Sequence, residues 1–196
     1  LKEKLQAGYV VSCVGNDGAY RLKRSKRGDS QADRAALYAL EKAGAEYRAI
    51  DFSPSGSDER QYCSLGFNLP FAVLSRTAFG EYPEYHTSED NLDLISAVGL
   101  EGGYQALKRS IEIIENNPVL KTTVFCEPQL GKRGLYPTIS VKGSANETRK
   151  MMNFISYCDG ENNLLEIAER IKEPAWELLS LTEKLVEKKV LIFKIT

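Results

Sequence analysis

Gly56 to Asp93 reads G-S-D-E-R-Q-Y-C-S-L-G-F-N-L-P-F-A-V-L-S-R-T-A-F-G-E-Y-P-E-Y-H-T-S-E-D-N-L-D, and the reading of the whole chain turns on it. It holds the only histidine, His86, among Asp58, Glu59, Glu81, Glu84, Glu89 and Asp90, with Arg60 and several tyrosines near in sequence. One imidazole among carboxylates, where an apolar run ends and a helix is expected to open, is what one sheet edge contributes to a metal-dependent hydrolase. A single histidine cannot close such a site. The competing reading is local: Thr87 and Ser88 are N-cap residue types for a helix opening near Asp90, with His86 a surface residue beside it. The residues alone leave both readings open.

Around this stretch the pattern is that of an α/β sheet with helices on its faces. Tyr9 to Val14 reads as a buried strand, followed by the turn Gly15-Asn16-Asp17-Gly18. The basic stretch Arg21 to Ser30 has almost no interleaved aromatic residues and reads as a solvated loop rather than a nucleic-acid surface. Ala32, Ala35, Ala36, Ala39 and Leu40 then mark a helix over about Gln31 to Lys42, ended by Gly44. Tyr47 to Phe52 and Phe71 to Leu74 are the next strands, and a long helix runs from about Leu92 to Glu115. Asp17 and Asp58 both fall just after strands, where ligands gather in open α/β folds. For Asp17 the local alternative is an Asx-type turn beside Gly18.

Composition bounds the function. The chain has 196 residues, 42% of them hydrophobic, enough to bury a core. No apolar run approaches the roughly 18 residues of a membrane span, and a net charge of −1 gives no reason to expect nucleic acid or an acidic membrane as the main partner. The balance is that of a cytoplasmic protein. Cys13, Cys63, Cys126 and Cys158 are widely scattered and read as reduced thiols. Leu1 is not an initiator methionine and L-K-E-K-L-Q-A-G opens in mid-pattern, so a piece of a longer protein is expected.

Ser57-Asp58, the run Gly66-Phe67-Asn68-Leu69-Pro70, and Tyr85-His86-Thr87 with Asp90 together resemble the C-terminal motif of the co-catalytic zinc aminopeptidase superfamily. Asp58 to Gly66 and Pro83 to Ser88 are closer still to a bacterial aminopeptidase-like family often found near polysaccharide-biosynthesis genes, with Leu65 standing where that family has proline. The resemblance implies a partial zinc-exopeptidase-like three-layer sheet and zinc in the complete protein, with His86 the last ligand in chain order. It implies Asp17 as a second metal candidate, although Asn16 departs from the family's Gly-Asp. Asp58, Glu59, Arg60, Glu84, Tyr85 and Asp90 would support the metal or bind substrate. Arg27, within Ser25-Lys26-Arg27-Gly28, would clamp a substrate carboxylate. The remaining ligands and the general base would come from an upstream half, so this chain alone is expected to be inactive.

After Glu115 the character changes. Asn116-Asn117-Pro118 breaks the helix, and Cys126 to Pro137 forms a bridge punctuated by glycine and proline. Helical patterns over about Glu147 to Tyr157, Leu164 to Lys172 and Ala175 to Lys188, separated first by the turn Asp159-Gly160, precede a short strand Val190 to Ile195. Three helices and a strand outline a winged helix-turn-helix, giving domains at 1–125 and 126–196. The third helix carries Glu173, Glu177, Glu183 and Glu187 against Lys184, Lys188 and Lys189. Carboxylates facing phosphates cost affinity, so a packing or oligomerisation module is expected, with Trp176 in a core or interface. Two function classes stay open. One is a zinc aminopeptidase-like hydrolase acting on a peptide-like or amino-acylated substrate, in which zinc-bound water attacks the amide carbonyl. The other is a non-catalytic binding or regulatory protein on the same scaffold.

Overall fold

Tyr20, Arg21, Leu22 and Lys23 alternate apolar and basic, and that period of two makes them a strand, β2 (Tyr20–Lys23), in the interior of a four-stranded sheet. The computed structural model describes residues 2–78, 80–135 and 144–194, without the side chains of 144 and 145. In the first of its two compact units, Leu1–Ile114, the strands are β1 (Gly8–Val11), β2, β3 (Tyr47–Ile50) and β4 (Phe71–Arg76), in the order β1-β4-β2-β3. β1 runs parallel to β4, β2 runs parallel to β3, and β2 and β4 are antiparallel.

One face of this sheet is apolar. Leu22 sits opposite Leu74, and with Ala72 they form a fully buried cluster with Ala32, Ala36 and Leu40 of α1 (Gln31–Lys42) and Ala106 of α3 (Ala97–Glu115). Each buried leucine contributes about 2 kcal/mol, and the alanines let the helices come close. On the other face the basic members of β2 meet acids. Arg21 lies 3.2 Å from Glu81, and Lys23 lies 2.8 Å from Glu59 of the short helix α2 (Glu59–Tyr62). The expected loop is therefore a strand as far as Lys23, and Arg21 and Lys23 are paired with acids rather than solvated, while Lys26 and Arg27 are exposed. The loop proper, Ser25 to Ser30, is closed by the buried carboxylate of Asp33. That group accepts from the backbone amides and hydroxyls of both Ser25 and Ser30, and with Ser30 it forms the capping box of α1.

The second unit, Glu115–Thr196, holds β5 (Val119–Thr122), α4 (Ser144–Ser156), β6 (Asp159–Asn163), α5 (Leu164–Ile171), α6 (Ala175–Glu187) and β7 (Leu191–Phe193). Phe154, Leu164, Ile167, Leu178, Leu185 and Leu191 are buried, and β5 lies between β6 and β7, antiparallel to both. The boundary therefore falls at 114/115, not 125/126, because β5 has its pairing partners in the second unit. β6 replaces the expected turn at Asp159-Gly160, although that turn's chemistry survives in it: Asp159 Oδ1 accepts from the amides of Glu161 and Asn162. Asn163 and Glu166 form the capping box of α5, which ends at Lys172 in the left-handed region (φ 61°), and Pro174 is the N-cap of α6. Tyr136 and Pro137 of the expected bridge, and Ile195 of the expected last strand, lie outside the described residues. Among the described residues no helix is long and apolar enough to cross a membrane, and all four cysteines are free.

Candidate functional site

At the carboxyl end of β1 the chain turns sharply through Ser12 to Gly18, and three hydrogen bonds from Arg76 and Ser96 hold the turn. β4 donates the Arg76 amide to Cys13 O at 2.9 Å, and the Arg76 guanidinium reaches Gly18 O at 2.8 Å. The Ser96 amide reaches Gly15 O at 2.9 Å. Within the turn, Asn16 Oδ1 accepts from the Gly18 amide (3.0 Å) and from Thr77 Oγ1 (3.2 Å). Asn16, rather than Asp17, therefore closes the Asx-type turn. Asp17 is left exposed, accepting the Ser96 hydroxyl.

Ser96 also caps α3: its Oγ accepts from the Gly99 amide at 2.8 Å. The long helix thus starts at Ala97 rather than near Leu92, and no helix opens at Asp90. Thr87 closes a turn instead, with Oγ1 donating to Glu84 O at 2.7 Å and accepting from the Glu89 amide at 3.2 Å. His86 stands exposed in this turn at φ 61°, uncommon for a non-glycine residue. Its ring stacks on Tyr85 with centroids 3.9 Å apart and planes 17° apart, and Tyr82 meets Tyr85 edge-on at 5.6 Å. Tyr82 ties this loop to the end of β1. Its hydroxyl lies 3.6 Å from Cys13 Sγ and 3.3 Å from Asp90 Oδ2. Burial, then the thiol and the carboxylate, push its pKa above the ordinary tyrosine value. Asp90 is thus engaged by Tyr82, and among the described residues no hydrogen bond joins it to His86. Pro83, Glu84, Glu89, Asn91, Asp93 and Leu94 line a shallow depression of about 380 Å³ in the same loop.

The other expected site residues sit elsewhere. Because β2 is antiparallel to β4, the carboxyl ends of β2 and β3 lie at the opposite end of the strands from those of β1 and β4. Arg27 follows β2 and the Asp58 turn follows β3, so neither joins His86 and Asp17. Arg27, Asp58 and Arg60 are exposed. Glu59 is 1% exposed, bound through Oε1 to Lys23, which also donates to Ser55 O, and its Oε2 has no partner among the described residues. Sequence reasoning missed Tyr82, Cys13 and Ser96 as the groups that organise the turn and the loop. Serine two residues before the Val98-Gly99 helical run was a readable cap signal for Ser96, whereas the Tyr82 to Cys13 contact has none.

Zinc needs three protein ligands in a catalytic site. Among the described residues no three of His, Cys, Asp and Glu come together in a way that could hold a metal ion, so these residues by themselves do not fit a closed zinc site.

The model of the family described as "Domain of unknown function (DUF4910)" matches residues 1–117, and that of the winged helix-turn-helix matches residues 118–192. The chain belongs to this DUF4910 family. It is 41% identical over 169 residues to a Clostridium acetobutylicum protein named "Putative polysaccharide biosynthesis protein with aminopeptidase-like domain", a match covering 85% of this chain and 38% of the relative. It also superposes on a solved structure from Clostridium acetobutylicum, titled as that of a "putative peptidase", with a TM-score of 0.87 and 34% identity, over 98% of this chain and 43% of that one. This DUF4910 chain thus spans about two fifths of the length of these relatives. Both the aminopeptidase-like resemblance and the appended winged helix-turn-helix expected from the motifs agree with these matches.

Proposed function

We propose that this chain is part of a zinc-dependent aminopeptidase-like hydrolase acting on a peptide or amide bond, and that His86 supplies one zinc ligand in the complete protein. The observation that carries the reading is His86 itself: the Tyr-His-Thr histidine is exposed at φ 61° in the loop that Tyr82 ties to the end of β1, with its ring plane fixed on Tyr85 and no hydrogen bond competing for its nitrogens among the described residues. Asp17, steadied by Ser96 at the neighbouring strand end, is the second ligand candidate. The acidic depression of Glu84, Glu89 and Asp93 suits the ammonium group of a peptide-like or amino-acylated substrate. The winged helix is read as a packing or oligomerisation module, and the cytoplasm as the compartment.

Metal analysis of the complete protein tests this. Wild type should retain zinc and His86→Ala should lose it; equal zinc in both would sink the assignment. Residues 1–196 alone should bind zinc weakly and show no peptidase activity, and stoichiometric, tightly held zinc in this chain would overturn that expectation.

A further inference from the structure

The winged-helix unit holds a sheet of its own, and β7 lies at one edge of it, paired on one side with β5. The Thr123 amide donates to Val190 O at 3.0 Å and the Lys194 amide to Val119 O at 2.9 Å. By the alternation of an antiparallel ladder, Val190, Ile192 and Lys194 therefore turn their backbone groups toward β5. Those of Leu191 and Phe193 point away, and among the described residues no strand pairs with them. Ile192 is 49% exposed on one face of the sheet and Phe193 51% exposed on the other. Such edges are usually guarded by a charge. β7 carries none, and Lys194, which follows it, is turned back across β5, its Nζ donating to Gly160 O of β6 at 2.8 Å.

The free groups of this edge match themselves. Leu191 and Phe193 stand to either side of Ile192, so a two-fold axis through Ile192 sets Leu191 of each copy opposite Phe193 of the other. Each such pair exchanges both backbone hydrogen bonds, and the two Ile192 side chains meet in the close, non-hydrogen-bonded position. The same operation covers Ile192 on one face and Phe193 on the other. We propose that the β7 edge is a two-fold pairing site for a second copy of this chain, joining two winged-helix sheets through antiparallel β7 strands. The pairing rests on the oligomerisation reading of the module and is independent of the zinc assignment. The strand is short, so the dimer is concentration-dependent rather than obligate.

Light scattering of the intact chain over a concentration series should show monomer passing to dimer. Ile192→Lys sets like charges opposite each other across the axis and should stay monomeric with an unchanged circular dichroism spectrum, whereas Ile192→Val should still dimerise. Amide exchange at Leu191 and Phe193 should slow by about 10-fold or more from dilute to concentrated samples, while the inward-facing Ile192 amide is protected throughout. In a Cys126→Ser background, Ile192→Cys should give a disulfide-linked dimer on mild oxidation. Lys194→Cys should not, because residue 194 stands opposite Val190 of the second copy and away from its own counterpart. A chain monomeric at every concentration would overturn both this pairing and the oligomerisation reading. A dimer that survives Ile192→Lys, or that links as readily through residue 194 as through 192, would overturn this edge alone. So would slow exchange at Leu191 and Phe193 in the dilute monomer, since another part of the chain would then already cover the edge.

Discussion

Replacing Gly99 by alanine puts two opposing effects on one atom. Gly99 lies in the first turn of α3, and in a free helix the added methyl would stabilise by about 1 kcal/mol. Here α3 lies directly on the turn after β1: a Cβ on Gly99 would come within 2.5 Å of Asn16 O and closer still to Gly15 O. Both are backbone atoms of a turn already fixed by β4 and Ser96, so neither can rotate away. Overpacking costs about 1–3 kcal/mol, and a clash with two backbone carbonyls belongs near the upper end. The net expectation is a loss of about 2 kcal/mol, or roughly 4–8 °C in the thermal midpoint for a chain of this length. Gly102→Ala is the internal comparison. Its nearest neighbours, at 2.5 Å, are the tips of Arg76 and Tyr20, which can move, so it should cost less. Thermal unfolding followed by circular dichroism measures both. A Gly99→Ala protein as stable as wild type, or more stable by the propensity gain, would refute the close approach of α3 to the turn that carries Asp17.

Lys23→Met should destabilise by about 3–5 kcal/mol in denaturant titration, because it leaves Glu59 buried and uncompensated, whereas Lys23→Met with Glu59→Leu should recover most of the loss. A double variant as unstable as the single would show that the pair is not the cause. Among the thiols, exposed Cys126 should alkylate first in the native chain. Cys158, whose pKa is pushed up to about 12 by burial and by the neighbouring Asp159, should react only on unfolding; native labelling of Cys158 at pH 8, read by mass spectrometry, would contradict its placement. Fluorescence anisotropy of a labelled random duplex with the intact chain should show no micromolar binding at low salt, because Glu173 and Glu177 at the start of α6 are held by Lys150 at 2.9 and 2.8 Å and no concentrated basic face is left there. Salt-sensitive micromolar binding would refute that reading and favour a regulatory role.

The sequence by itself determined the elements whose signal is local. The alanine and leucine spacing fixed α1 at Gln31 to Lys42, and the apolar spacing from Leu164 onward marked α5, because helical periodicity acts within a few residues. The motif reading of Tyr85-His86-Thr87 likewise reached the family without coordinates. Tertiary structure decided the rest. β2 looks like a charged loop until Glu59 and Glu81, distant in sequence, neutralise its far face. β6, as D-G-E-N-N, has no strand propensity and exists because β5 supplies its hydrogen bonds. The antiparallel pairing of β2 with β4 sent Arg27, Asp58 and Glu59 to the end of the strands opposite His86. Proximity along the chain had grouped them, but strand direction is set by long-range pairing, which no local pattern encodes.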